Sequence, residues 1–218
     1  MKFFFINIIM NIGILLAAGK SLRFEKDTPK QLYKINDKTI VSHSIDLMSE
    51  CLDELIVVTN SDCANKISMP KNATIAINDF DCRLASIKAA LNHIGKKDVH
   101  NIVIHDSARP FIRKEHIENL LISCNDFPYS QYVLKLVNGL ARKTEAGYEI
   151  PDRSQYVELC TPQAVDYTLY SYIFNKYIDS QNRMTCELLP ILDKFNIKYN
   201  LIEGSLKYLR KITTIDDI

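Results

Sequence analysis

An open, mostly parallel α/β sheet flanked by helices is the fold this sequence predicts, and three observations predict it. Short apolar runs rich in strand formers recur along most of the 218 residues, and stretches of helical period separate several of them. Strands that alternate with helices of about 10 to 15 residues pair in parallel through crossover connections. The 47% hydrophobic and 24% charged content is the mixture of one water-facing domain with a sizeable core, so residues 1–218 are read as a single unit. In such sheets ligands sit beyond the carboxyl ends of the strands, so the chemistry is expected there.

Residues 1–9 (MKFFFINII) carry one Lys and then apolar residues, a pattern shared with secretory signals. As a signal its apolar region would continue through Ile12 to Ala18, and cleavage nearby would remove the loop after the first strand, so residues 1–9 are read as an N-terminal extension. Asn11 to Leu16 is the first strand, broken by the small residues Ala17, Ala18 and Gly19. Thr39 to Cys51 places Ile40, Ile45, Leu47 and Met48 on a helical face, and Leu55 to Thr59 is a buried-type strand. Thr74 to Ile77 is a strand, Leu84 to Ile94 a helix, Asn101 to Ile104 a strand and Lys114 to Cys124 a helix. From 129 to about 160 the helical period disappears and extended segments flank a turn at Gly147. This stretch reads as a projecting β-arm, a plausible clasp between two copies. Helices over Asp166 to Ile178 and Met184 to Phe195, then a strand over Tyr199 to Ile202, complete the pattern.

Twenty-seven Lys and Arg against 26 Asp and Glu give a net charge of +1, which supplies no field for holding nucleic acid or an anionic membrane. Any anion must be bound by local geometry. The six cysteines include no CxxC pair, so neither a zinc site nor a disulfide framework is expected, and reduced thiols point to a cytoplasmic protein.

Two constellations carry chemistry. In Leu16-Ala17-Ala18-Gly19-Lys20-Ser21-Leu22-Arg23, small residues let backbone N–H groups approach an oxyanion, while Lys20, Arg23 and, after Pro29, Lys30 surround it with positive charge. Neither GxxxxGK[ST] nor GxGxxG is present, so this triphosphate cradle is not of the two common types, and taken alone it is equally a tight strand-to-helix turn. In Ile104-His105-Asp106-Ser107-Ala108-Arg109-Pro110, at the end of a buried strand, Asp106 could hold Mg²⁺ beside a nucleotide and Arg109 could take a phosphate through two N–H groups. His105 reads as a packed histidine, because a phosphate nucleophile is already anionic and needs little help from a base.

The ordered set AAGKSLR, PKQ, HDSARPF, DR, TPQ, EGS and KITT, running from about Ile12 to Ile218, resembles the methylerythritol phosphate cytidylyltransferases and their relatives, the ribitol phosphate cytidylyltransferases. That resemblance implies one α/β domain, a homodimer paired through the arm, and a need for Mg²⁺. It implies that Arg23 and Lys30, with Lys211, act on the reacting phosphates. Ala17, Ala18, Gly19, Lys20, Asp81, Arg83 and Ser86 would hold the nucleotide. Asp106, Arg109, Arg153, Thr161 and Lys211 would meet the acceptor, with Asp106 also at the metal and Arg153 serving the neighbouring subunit. The implied reaction moves CMP from CTP to 2-C-methyl-D-erythritol 4-phosphate and releases pyrophosphate. The alternatives are D-ribitol 5-phosphate as acceptor, or a nucleotide-binding scaffold without catalysis.

Three positions and one segment depart from the family's pattern. Leu140 stands where a threonine is usual, Phe80 where a glycine is, and Cys186 where an aspartate is often found. The segment Leu206 to Arg210 is one residue longer than usual, which would move Lys211 by a few ångströms.

Overall fold

The computed structural model describes residues 10–21, 23–24, 28–95, 97–178 and 188–218. The extension over residues 1–9, Cys186 and the start of the helix expected from Met184 lie outside them. The chain forms β1 (Met10–Leu16), a small hairpin of β2 (Lys34–Ile35) and β3 (Lys38–Thr39), α1 (Ile40–Cys51), β4 (Glu54–Thr59), the single turn α2 (Ser61–Ala64) and β5 (Ala73–Ile77). There follow α3 (Arg83–Ile94), β6 (Val99–Asp106), α4 (Lys114–Ser123), β7 (Tyr129–Lys135) and a second hairpin of β8 (Arg142–Thr144) and β9 (Gly147–Glu149). The last elements are β10 (Val157–Asp166), α5 (Tyr167–Tyr177), α6 (Leu189–Lys194), β11 (Asn200–Glu203) and α7 (Leu206–Leu209).

Seven strands make one sheet in the order β11-β7-β10-β6-β1-β4-β5. β1 lies centrally, parallel to β4 with Ile14 opposite Ile56 and parallel to β6 with Ile14 opposite Ile104. β10 alone among these runs against its neighbours, β6 and β7, so the sheet is mostly parallel as expected. Helices cover both faces, which is why the strands read as continuous apolar runs. Side chains alternate across a strand, so Ile12 and Ile14 enter one core with Ile56, Leu84, Ile102 and Tyr170. Leu15 points the other way, into a core with Met48, Leu55, Val57, Val103 and Leu120.

The stretch expected to project over 129–160 divides in two. Tyr129–Lys135 and Val157–Asp166 are central strands, with Tyr129, Tyr132, Val133 and Leu134 buried. Only residues 136–156 leave the sheet, carrying the β8–β9 hairpin and the exposed Val137, Tyr148 and Ile150. Sequence patterning distinguishes extended chain from helix well. It does not separate a central strand from a projecting one when both lack helical period.

A third, smaller apolar cluster joins the segment after the first loop to the last residues of the chain. Phe24, Ile40 and Ile212 are buried together, with Tyr33, Ile35, Phe111 and Ile215 packed against them.

Candidate active site

A cavity of about 920 Å³ opens at the carboxyl ends of β1 and β6. Its floor is the loop after β1, which neighbouring strands fix on both sides. The Ala17 N–H donates to the Val58 carbonyl at 2.7 Å, and the Ser107 N–H donates to the Leu16 carbonyl at 3.0 Å. Ala17 and Ala18 are buried while Gly19 and Lys20 are exposed, so the small residues let the backbone turn flush with the cavity wall. A Cβ built on Gly19 meets nothing within 4 Å, leaving that space open on the cavity side. Ser21 takes a left-handed φ of 56°, and its hydroxyl reaches the Gln31 side-chain oxygen at 3.3 Å. Buried Gln31 in turn donates to the Cys63 sulfur at 3.3 Å. Gln31 lies within the PKQ motif, but no local signal marks it as a brace for a loop ten residues earlier.

The cations converge on one carboxylate. Asp106, at the end of β6, accepts from Arg83 at 2.9 Å on one oxygen and from Lys211 at 2.8 Å on the other, while the Asp106 backbone N–H donates to the Thr161 hydroxyl at 3.0 Å. Burial by itself would push the Asp106 carboxyl upward. The charges of Arg83, Lys211 and Arg109 outweigh it and hold the group well below the usual carboxylate range. Lys30 donates to the Ile212 carbonyl at 2.9 Å. Burial chiefly lowers the Lys30 pKa, and the nearby positive charges of Lys211 and Arg23 lower it further. This crowding of like charge is relieved by an anion entering the cavity.

Lys211 is held at this cluster because the backbone on either side of it is clamped. Arg109, buried at 5% exposure, donates to the Leu209 carbonyl, and the Ile212 N–H donates to the Ala108 carbonyl at 2.8 Å. The Arg109 guanidinium also lies 3.7 Å from Glu158. Its reach is thus toward the chain's last segment, although it borders the cavity. His105 is wholly buried and its Nε2–H donates to the Arg109 carbonyl at 3.1 Å. Burial lowers its pKa to about 4, so it stands neutral at pH 7 as a packed residue.

Arg23, Asp81 and Ser86 also border the cavity. Ser86 Oγ accepts from Asn78 at 2.8 Å, bracing the loop before α3. Arg153 does not border it. It sits on the excursion over 136–156 and donates to the Val137 carbonyl at 2.6 Å. The cavity further includes Gln131, a buried polar residue to which the sequence assigned no role, and buried Ser107 and Gln163, which lie within the HDSARPF and TPQ motifs without a role of their own. Their burial is a tertiary property.

Among the described residues no three His, Cys, Asp or Glu side chains gather as a metal cage. A single strand-end carboxylate facing a phosphate-sized space is the donor set Mg²⁺ accepts, since that ion is commonly held by one or two carboxylates plus substrate phosphates. Asp106 fits that description, with Arg83 and Lys211 as the partners an ion would displace.

Two comparisons of sequence show kinship, and a comparison of structures shows the fold. The sequence profile of the IspD family, described as 2-C-methyl-D-erythritol 4-phosphate cytidylyltransferase, matches residues 11–218. A protein of that description from Thermosipho africanus is 30% identical over 217 residues, covering 96% of this chain and 95% of its own length. Another from Clostridium perfringens is 28% identical over 220 residues, covering 95% of each. Among solved structures, 4-diphosphocytidyl-2C-methyl-D-erythritol synthase from Anaerococcus prevotii superposes with a TM-score of 0.80 at 20% identity, over 96% of this chain and 94% of that one. The bifunctional IspDF of Campylobacter jejuni gives 0.78 at 21% identity, over 96% of this chain and 53% of the larger protein. At those identities the superpositions speak for the fold; the sequence match speaks for descent, and with it this chain belongs to the IspD family of cytidylyltransferases, enzymes that transfer nucleotidyl groups.

Proposed function

We propose that this enzyme transfers CMP from CTP to 2-C-methyl-D-erythritol 4-phosphate, releasing pyrophosphate, and that it works as a Mg²⁺-dependent cytoplasmic homodimer. The observation that carries the reading is the convergence of Lys30, Arg83 and Lys211 around Asp106, beside a loop of small residues at the strand ends. An acceptor phosphate oxygen attacks the α-phosphorus of CTP in line. The new P–O bond forms as the bond to the bridging oxygen breaks, and pyrophosphate leaves with the electron pair. Both partners are anionic, so the main barrier is bringing charge together. Cations fixed before reaction replace water that would otherwise have to reorganise.

Within that scheme Lys30 and Arg23 neutralise the α-phosphate during attack, and Ala17 to Lys20 follow the triphosphate. Asp81 and Ser86 flank the nucleoside side. Lys211 and Thr161 approach the acceptor phosphate, and Arg109 holds the Lys211 segment in register. When bound at Asp106, Mg²⁺ would neutralise charge on the triphosphate. The exposed apolar residues of the excursion, Val137, Tyr148 and Ile150, at 74%, 73% and 75% exposure, support pairing of two copies there, which would deliver Arg153 to the neighbour's cavity.

The test is pyrophosphate release with CTP and Mg²⁺, offering 2-C-methyl-D-erythritol 4-phosphate and D-ribitol 5-phosphate separately. Turnover with the tetritol and at least tenfold less with the pentitol is expected. Turnover with the pentitol alone would transfer the assignment to that acceptor, and no release with either would reject both.

A further inference from the structure

Large aromatic side chains usually bury most of their surface, yet Phe80 is 77% exposed while bordering the cavity. Its exposure is built rather than accidental. The Phe80 N–H donates to Asn78 Oδ1 at 3.2 Å, and its carbonyl accepts from Asn78 Nδ2 at 2.9 Å and from the Cys82 N–H at 2.8 Å. Asn78 is itself buried and tied to Ser86 on α3. A braced loop therefore displays the ring. Among the described residues no aromatic ring or cation stacks on it, and no other aromatic residue borders the cavity.

Three residues further on, Arg83 reaches Asp106 at the cation cluster. That spacing keeps the two Cα atoms within about 10 Å. A nucleotide whose phosphates lie among the cations thus has its base within reach of one aromatic surface. We propose that Phe80 stacks on the nucleobase of the bound nucleotide and contributes affinity for the nucleoside end; this rests on CTP being the nucleotide donor. Every base offers a π-face, so stacking supplies affinity and leaves discrimination between bases to hydrogen bonds elsewhere in the site.

The chain contains no tryptophan, which gives a clean probe. Binding of CTP and of inorganic tripolyphosphate, each with Mg²⁺, would be measured by calorimetry for the parent and Phe80→Ala. Fluorescence titrations would be run on Phe80→Trp. Phe80→Ala should bind CTP about 5- to 150-fold more weakly, the range of one lost base–aromatic stack, with tripolyphosphate affinity unchanged within twofold. The indole of Phe80→Trp should be quenched by CTP and not by tripolyphosphate. Unchanged CTP affinity in Phe80→Ala, an equal loss for both ligands, or an indole blind to CTP would overturn the assignment while leaving CTP as the donor. A parent protein that binds no CTP would overturn both.

Discussion

Lys30 is held at a depressed pKa by burial and by the charges of Lys211 and Arg23, which outweigh Asp106 and Asp217, and that is the state expected of a cation waiting for a phosphate. Lys30→Ala should therefore lower kcat with little change in folding. Loss of one preorganised charge is worth about 3 to 4 kcal/mol of transition-state stabilisation, or roughly 10² to 10³ in rate. Steady-state kinetics alongside circular dichroism would check it, and an unchanged kcat would remove Lys30 from the reaction. His105 makes a separate prediction about stability in metal-free, nucleotide-free buffer. The unfolded chain protonates this histidine near its ordinary value of 6.5, whereas the folded protein does so only near 4. Between those values the unfolded chain holds the extra proton, so stability should fall as pH drops from 6.5 to 4, by on the order of 3 kcal/mol. Asp106, with its lowered carboxyl, acts in the same direction but below its ordinary 3.8. Urea midpoints at several pH values would show the slope, and His105→Gln should flatten it between 6.5 and 4.

At the scale of elements, β1 lies against α1 through Gly13. A Cβ there would sit 2.8 Å from side-chain carbons of Leu52 and Leu55 and 3.1 Å from Met48, all buried. Gly13→Ala should cost about 1 to 3 kcal/mol through overpacking, read as a lower urea midpoint with an unchanged m-value. The parallel core of the sheet was legible because β1, β4 and β6 are buried on both faces and so spell apolar runs. The strand β10 was not, since its burial comes from β6 and β7 on either side rather than from its own pattern. The same division holds at the site. Motifs at strand ends marked Ala17 and Asp106, and the PKQ motif marked Lys30, each local to its own segment. Gln31 bracing Ser21 through a side chain, and Arg109 turning to the Leu209 carbonyl, depend on residues remote in sequence and left no local trace.

Over the whole molecule, the excursion at 136–156 is the feature most separable from the core, since among the described residues β8 and β9 pair only with each other. Replacing residues 140–151 by a short polar turn should leave the sheet folded and yield a monomer by analytical ultracentrifugation, with kcat at least tenfold lower because Arg153 loses its neighbour. A parent chain that sediments as a monomer would refute pairing through this excursion. No helix among the described residues is long and apolar enough to cross a membrane. The contact between Lys30 and Ile212 bridges 182 positions of sequence. A polypeptide emerging from the ribosome can lay down its first strands and helices early, yet its charged pocket stays open until the closing segment arrives. Turnover should thus require Lys211 and Ile212 to have docked, and a protease cutting just past Leu209 would silence the enzyme while sparing most of its architecture.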